Sequence, residues 1–156
     1  KTDGPHGWSP LWFGNQHAPD EINWTYGTAK VAMALNEKAQ LTQPGGAMRQ
    51  RGARNCLLHL QREDGAWSGY ENGPASIEET SLALEALLGI GNEKGEDSAN
   101  VQAALDRGTN WLLNQLESGI WTNPTPIGFY FAKLWYFEKL YPIIFATGAL
   151  EKANLD

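Results

Sequence analysis

The chain has 156 residues, a formal charge of −6 at pH 7 and a pI near 5.0. This length is enough for a buried core, and the acidic balance argues against a nucleic-acid partner, which requires a basic surface. A single cysteine excludes an internal disulfide, and no apolar run reaches the ~18 residues that a membrane span needs.

Aromatic residues and prolines dominate the start of the chain. Residues 1–26 contain three Trp and three Pro without a helical or strand period, which predicts an ordered aromatic loop. The whole chain has seven Trp, five Tyr and five Phe. This aromatic content indicates either large core side chains or a surface that holds an apolar or cationic ligand.

Helical periodicity governs the rest of the chain. Residues 27–156 are predicted to form helical repeats, with six helices in three consecutive pairs and no strand. The expected ranges, in chain order, are 27–37, 47–60, 76–89, 101–114, 128–140 and 142–153. The fifth range is a dense aromatic segment. The sequence therefore predicts an all-α fold in which residues 1–156 form one unit.

The start of the third predicted helix carries a capping signal. Ser76-Ile-Glu-Glu79 fits a capping box, in which Ser76 caps the helix and the Glu79 carboxylate bonds back to the Ser76 amide. Two adjacent carboxylates can also raise one pKa, so Glu78 or Glu79 as a catalytic acid is the alternative. We favour the cap, because acidic residues are stabilising at a helix N-terminus.

One motif occurs twice. The stretch from Gln61 to Trp67 recurs in a diverged form from Gln115 to Trp121, and each copy follows a helix-like run. Its glycine permits a sharp reversal, and the Trp two residues later can fold back as a large anchor. Its Gln can bond loop backbone or a neighbouring helix terminus, which predicts a contact between repeats; the alternative is an ordinary exposed residue. The residues assigned to this structural motif are Gln61, Gly65, Trp67, Gln115, Gly119 and Trp121.

This repeat resembles the Gln-Trp motif of the triterpene cyclases. In that family a basic residue and a small residue precede the Gln, as Arg51-Gly52 and Arg107-Gly108 do here. Cys56 departs from the pattern, since it stands where an aromatic residue is usual. The stretches 23–28 and 128–142 also resemble squalene–hopene cyclases, in the same order along the chain.

The resemblance implies part of an α/α toroid of the terpenoid cyclase/prenyltransferase type, with about three helix pairs. It further implies the C-terminal portion of an isomerase that cyclises squalene or a similar apolar polyprenoid through carbocations. Aromatic faces stabilise such cations. By position in the family, the residues expected to line the cyclisation cavity are Trp12, Phe13, Trp24 and Tyr26. For each of them, core packing is the alternative.

The family's general acid, an Asp-x-Asp-Asp motif, does not occur in this chain. No catalytic residue is therefore assigned, and the chain alone is expected to be inactive. No cofactor or metal is expected, because Cys56 and His59 lack the surrounding pattern of a zinc site. The expected partners are the polyprenoid and the remainder of the parent cyclase, and apolar faces would favour self-association. The resemblance places the parent on the cytoplasmic side of a bacterial membrane, with this fragment soluble.

Two other functions fit the sequence. One is a non-catalytic helical-repeat module that binds a lipid or a protein partner. The other is a carbohydrate-active α/α toroid, in which Glu78 or Glu79 is the acid and the Trp side chains hold sugars.

Overall fold

A computed structural model describes residues 7–10, 13–36, 42–90, 98–124, 127–129 and 134–154. Five α-helices carry the fold of this part of the chain. They are α1 (Trp24–Leu35), α2 (Gly46–Leu60), α3 (Ile77–Ile90), α4 (Ser98–Ser118) and α5 (Tyr141–Asn154). The all-α prediction is confirmed, and the architecture is consistent with a segment of an α/α toroid.

Helix α3 lies at the centre of this core. Eleven of its fourteen residues are buried, and α1, α4 and α5 pack around it. A helix that is buried on nearly all sides is expected to be apolar around most of its circumference, as the later turns of α3 are. Its first turn instead buries the polar residues Glu78, Glu79, Thr80 and Ser81. Helix α1 packs closely against α3 because its buried residues are small, namely Thr25, Gly27, Thr28, Ala29 and Ala32.

Helix α4 is longer than the sequence predicts. It extends through Gln115 and ends at Ser118, after which Gly119 adopts a left-handed conformation with φ 77°. The amide of Gly119 donates to the carbonyl of Leu116 at 3.2 Å. A left-handed glycine directly after the last turn is a common helix stop, because it satisfies carbonyls that have no partner within the helix.

A small sheet differs from the prediction. Strands β1 (Phe13–Asn15), β2 (Ile127–Phe129) and β3 (Leu134–Tyr136) form one antiparallel sheet in the order β1-β2-β3. The predicted helix over residues 128–140 is therefore wrong where the structure describes this segment. Branched and aromatic side chains favour extended backbone, and pairing with β1 supplies the hydrogen bonds. Phe13 lies opposite Phe129, so the sheet joins the aromatic loop to the aromatic segment that begins at residue 128.

Candidate functional site

Gln61 connects its own loop to the next repeat. It follows the last residue of α2, and its Nε2 donates to the carbonyl of Gly65 at 2.9 Å and to that of Ala104 at 2.8 Å. The guanidinium of Arg107 donates to its Oε1. Ala104 and Arg107 lie within α4, so the amide reaches the body of the neighbouring helix rather than its terminus. The bonds to Ala104 and Arg107 tie the end of α2 to α4, and the bond to Gly65 holds the loop that follows α2.

Gly65 and Trp67 bring the loop against the same helix. Gly65 has a φ of 91°, and a Cβ built on it would lie 2.7 Å from the carbonyl oxygen of Arg107. The Trp67 side chain is fully buried, and its Nε1 donates to the carbonyl of Leu57 at 2.7 Å. That carbonyl belongs to the last turn of α2, where acceptors lack partners within the helix. The indole therefore completes the end of α2 while it packs against α4.

Two glycines at the same motif position give a matched test of this packing. A Cβ at Gly108 would lie 2.6 Å from Cζ3 of Trp67, whereas a Cβ at Gly52 would meet nothing within 4 Å. We expect Gly108→Ala to lower the free energy of unfolding by about 1–3 kcal/mol through overpacking. Gly52→Ala should raise it by about 0.5–1 kcal/mol, because alanine is the better helix former. Urea denaturation measures both changes, and the same sign for both would contradict the arrangement.

The second copy of the motif makes different contacts. Gln115 lies inside α4. The backbone of Trp121 lies in a short 3-10 turn, Ile120–Thr122, and its side chain is outside the described part of the structure. The Gln115 side chain lines a cleft of about 280 Å³, together with Asn15 and Trp111. Within the described residues no hydrogen bond links that side chain to a partner. The first copy thus engages a following helix, and the second faces an open cleft.

The predicted cavity residues are described unequally. Trp12 lies outside the described residues, and Phe13 is described as backbone of β1 without its side chain. Trp24 and Tyr26 occupy the first turn of α1, and both are partly buried against the core. Residues two apart on a helix do not share a face. The structure therefore directs these two aromatic rings to different sides of α1.

Tyr26 is oriented toward α5. The ammonium of Lys30 lies 5.8 Å from the centre of the Tyr26 ring and 5.9 Å from that of Phe145. Burial, and next the neighbouring Tyr141, raise the pKa of the Tyr26 hydroxyl. Tyr26 therefore packs against the apolar core, and the ammonium of Lys30 already lies over its ring.

Glu79 is the residue whose environment differs most from the sequence interpretation. Ser76 does cap α3, since its hydroxyl accepts from the Glu79 amide at 3.0 Å. The reciprocal bond of the capping box is absent, because the Ser76 amide donates to the carbonyl of Trp67 at 3.1 Å instead. The Glu79 carboxylate accepts from the side-chain amides of Asn23 at 3.0 Å and Asn15 at 3.3 Å. That half of the prediction is wrong.

The Glu79 carboxyl is buried in an environment that favours its neutral form. The side chain is 1% exposed, and its Oε2 has no hydrogen-bond partner among the residues that the structure describes. Burial, and next the charge of Glu78, raise the pKa of Glu79 to about 7, although the bonds from Asn23 and Asn15 oppose the shift. Glu78 is 0% exposed, so neither carboxylate is presented to a glycan at the surface. The residues around Glu79 do not predict its bonds to the two asparagines, because these lie 64 and 56 residues away along the chain.

Cys56 fills a tight position beneath the start of the chain. Its thiol is 3% exposed and lies 3.6 Å from the hydroxyl of Thr28. Burial raises the pKa of the Cys56 thiol, against a smaller opposing contribution from Thr28. A side chain added at Gly7 would collide with Sγ, so the backbone at Gly7 packs directly against Cys56. Across the described ranges, no three His, Cys, Asp or Glu side chains converge as a metal site would require.

Comparison with known proteins identifies relatives of this chain. It is 30% identical over 162 residues to a squalene–hopene cyclase of Zymomonas mobilis, a match covering 92% of this chain and 22% of that protein. A probable squalene–hopene cyclase of Sinorhizobium fredii is 29% identical, over 78% of this chain and 20% of the relative. One from Bradyrhizobium diazoefficiens is 27% identical, over 92% and 22% respectively. No protein-family model matches the chain.

Helices α1, α4 and α5 pack around α3, and the contacts of Gln61 and Trp67 join α2 to α4. This arrangement defines a segment of an α/α helical-repeat protein. The relatives specify which kind. The chain is a segment of a squalene–hopene-cyclase-like protein, and it spans about a fifth of the length of the curated relatives it matches. No helix in the described ranges has the length and apolar character to cross a membrane.

Proposed function

We propose that this chain forms part of the cavity wall of a squalene–hopene-cyclase-like enzyme that cyclises squalene or a similar apolar polyprenoid. The observation that carries the proposal is the match to squalene–hopene cyclases over 92% of the chain. In this role the chain shapes the cavity and excludes water, which would quench a carbocation. The general acid comes from another part of the parent polypeptide, because the chain has no Asp-x-Asp-Asp sequence.

The structural motif has a separate role in this proposal. Gln61, Gly65 and Trp67 hold α2 against α4 through hydrogen bonds and close packing. Gln115 and the cleft it lines are then where the remainder of the parent cyclase continues the arrangement. The motif stabilises the scaffold, and the aromatic residues near α1 belong to the reaction.

A second surface fits contact with the remainder of the parent. The exposed large apolar residues between the end of β3 and the first turn of α5 are Tyr136, Phe137, Leu140, Ile143 and Ile144. Contiguous apolar groups at a surface mark an interaction site. Since the chain covers about a fifth of its relatives' length, another part of the same polypeptide is the partner we propose. Peripheral attachment of the parent to a membrane is also part of the proposal, and self-association of the isolated chain stays a prediction.

Trp24 offers the test of the cavity assignment. In the full-length polypeptide that carries this chain, we expect Trp24→Leu to lower squalene turnover by roughly tenfold or more. The reason is that loss of the aromatic face removes a cation–π contribution of about 2 kcal/mol. Trp24→Phe keeps an aromatic face and should retain most of the activity. Gas chromatography of the triterpene products measures both.

The control is Met48→Leu, at a side chain that is 73% exposed on α2, far from the aromatic loop in the sequence. It should leave turnover unchanged. Equal activity of the Leu and Phe variants at position 24 would remove Trp24 from the cavity. A wild-type polypeptide that converts no squalene would contradict the proposed function itself.

A further inference from the structure

A buried polar cluster links α3 to both ends of one segment of the aromatic loop. The cluster consists of Glu79, Asn15 and Asn23, each of which is 1% exposed. Both asparagine side chains donate to the same oxygen, Oε1 of Glu79, at 3.3 and 3.0 Å. The sequence separations are 64 and 56 residues, so the cluster is a tertiary feature and not a local turn.

The orientation of both asparagine amides is determined by their other bonds. The Asn15 Oδ1 accepts from the His17 amide at 2.9 Å, and the Asn23 Oδ1 accepts from the Tyr26 amide at 2.9 Å. Because each carbonyl oxygen is engaged by backbone, each NH₂ group points inward and needs an acceptor there. Glu79 Oε1 is that acceptor for both.

The two asparagines occupy the positions that place the aromatic residues. Asn15 is the last residue of β1, two residues after Phe13. Asn23 is the N-cap of α1, directly before Trp24. A single carboxyl oxygen therefore fixes the end of β1 and the start of α1 relative to the central helix.

The loop that follows the first motif copy packs against the other side of the cluster. A Cβ at Gly69 would lie 3.0 Å from Asn15 Nδ2 and 3.1 Å from Asn23, so a side chain there would press on both asparagines. The carbonyl of Gly69 accepts from the Trp24 amide at 2.7 Å, and that of Ser68 accepts from the Thr25 hydroxyl at 2.6 Å. The loop that follows Trp67 thus presses the start of α1 onto Glu79.

A purely structural role is served poorly by a carboxyl at this position. Within the described part of the chain its second oxygen is buried without a partner, and a buried unsatisfied polar group costs about 1–3 kcal/mol. Unfavourable groups of this kind persist at functional sites, where the rest of the structure compensates for them. The cluster therefore points to function as well as to folding.

We propose that Glu79 is a positioning residue for the cyclisation reaction, which through Asn15 and Asn23 sets the placement of Trp24 and its neighbours against the substrate. This inference rests on the proposed function. Glu79 touches no reacting atom; it acts through the two asparagines. A misplacement of about 1 Å at a reacting centre lowers rates by up to about 100-fold, so a small shift of the loop is enough.

The experiment compares Glu79→Leu with Glu79→Gln in the full-length polypeptide. Leucine removes the acceptor, whereas glutamine keeps an oxygen for both asparagines. We expect Glu79→Leu to lower kcat by about 10- to 100-fold with a much smaller change in KM, and to alter the ratio of triterpene products. Glu79→Gln should restore both. Glu85→Gln, on a partly buried side chain of the same helix, is the matched control and should change neither.

Hydrogen exchange supplies a readout that does not depend on turnover. In Glu79→Leu the amides of residues 13–26 should exchange faster, while those of α2 and α4 keep their protection. If the leucine variant unfolds, Asn15→Ala replaces it, since that change removes one donor and leaves the N-cap of α1 intact. We expect Asn15→Ala to lower kcat in the same direction. Where the leucine variant folds, Asn15→Ala should add little to the effect of Glu79→Leu.

The outcomes separate the two proposals. Unchanged kcat and product ratio in both Glu79→Leu and Asn15→Ala, in an active enzyme, would overturn the positioning role. Loss of activity that glutamine does not restore would also overturn it. If the wild-type polypeptide converts no squalene, the proposed function fails, and unchanged exchange at residues 13–26 would then also remove the link between Glu79 and the loop.

Discussion

Replacement of Trp67 by alanine should lower the free energy of unfolding by about 3–5 kcal/mol, the usual cost of removing a fully buried indole. The side chain is 0% exposed, and it contacts both α2 and α4. Its loss leaves a large cavity and also removes the donor to the Leu57 carbonyl. Few single substitutions in small proteins cost more than this. Urea denaturation followed by circular dichroism measures the change.

Trp111→Ala is the matched control, because it removes an indole that is partly buried and lines the open cleft. We expect a clearly smaller loss of stability, since less apolar area returns to water. Equal losses for the two variants would show that Trp67 does not carry the contact between α2 and α4.

Replacement of Glu79 by glutamine should stabilise the protein above pH 7 and should flatten its pH dependence. The pKa of Glu79 is about 7 in the folded state, against 4.5 for an unperturbed Glu. Between these values the folded state binds more protons than the unfolded state, so wild-type stability falls as pH rises. The penalty is absent below pH 4.5 and complete above pH 7, where it reaches on the order of 3 kcal/mol.

The groups around Glu79 fix the sign of this effect. Glu78 on the same helix disfavours its ionised form, and Asn15 and Asn23 from the loop are neutral donors that oppose the shift. Thermal denaturation at about pH 5, 7 and 8, which spans the transition, measures the difference in stability between the variant and wild type. The gap should widen with pH, and Glu85→Gln should show no comparable widening. A constant gap across this range would contradict a buried, neutral Glu79.

The same residue links the stability and the positioning arguments. Glutamine at position 79 removes the cost of ionisation and keeps the acceptor, so it should raise stability without loss of kcat. Leucine removes the acceptor and should lower kcat even where stability is maintained. The two substitutions therefore separate the charge of Glu79 from its hydrogen bonds.

The sequence by itself determined the fold class and the positions of most helices, but not the full extent of α4 or the strands at residues 127–129 and 134–136. Apolar periodicity located α2 and α3, and Ser76 marked the start of α3. These features depend on residues within a few positions of one another, and local backbone physics is sufficient to predict them. The Gln-Trp motif also pointed to the squalene–hopene cyclases, which the relatives support.

Tertiary structure alone decided which groups meet. The strand pairing of Phe13 with Phe129, the contact of Gln61 with Ala104 and the bonds of Glu79 to two asparagines all join distant parts of the chain. The Glu79 carboxyl bonds to the distant asparagines and not to the Ser76 amide. A buried carboxyl needs hydrogen-bond partners, and the two asparagines supply them. No local pattern encodes such a partner, since it exists only after α1 and the loop have packed against α3.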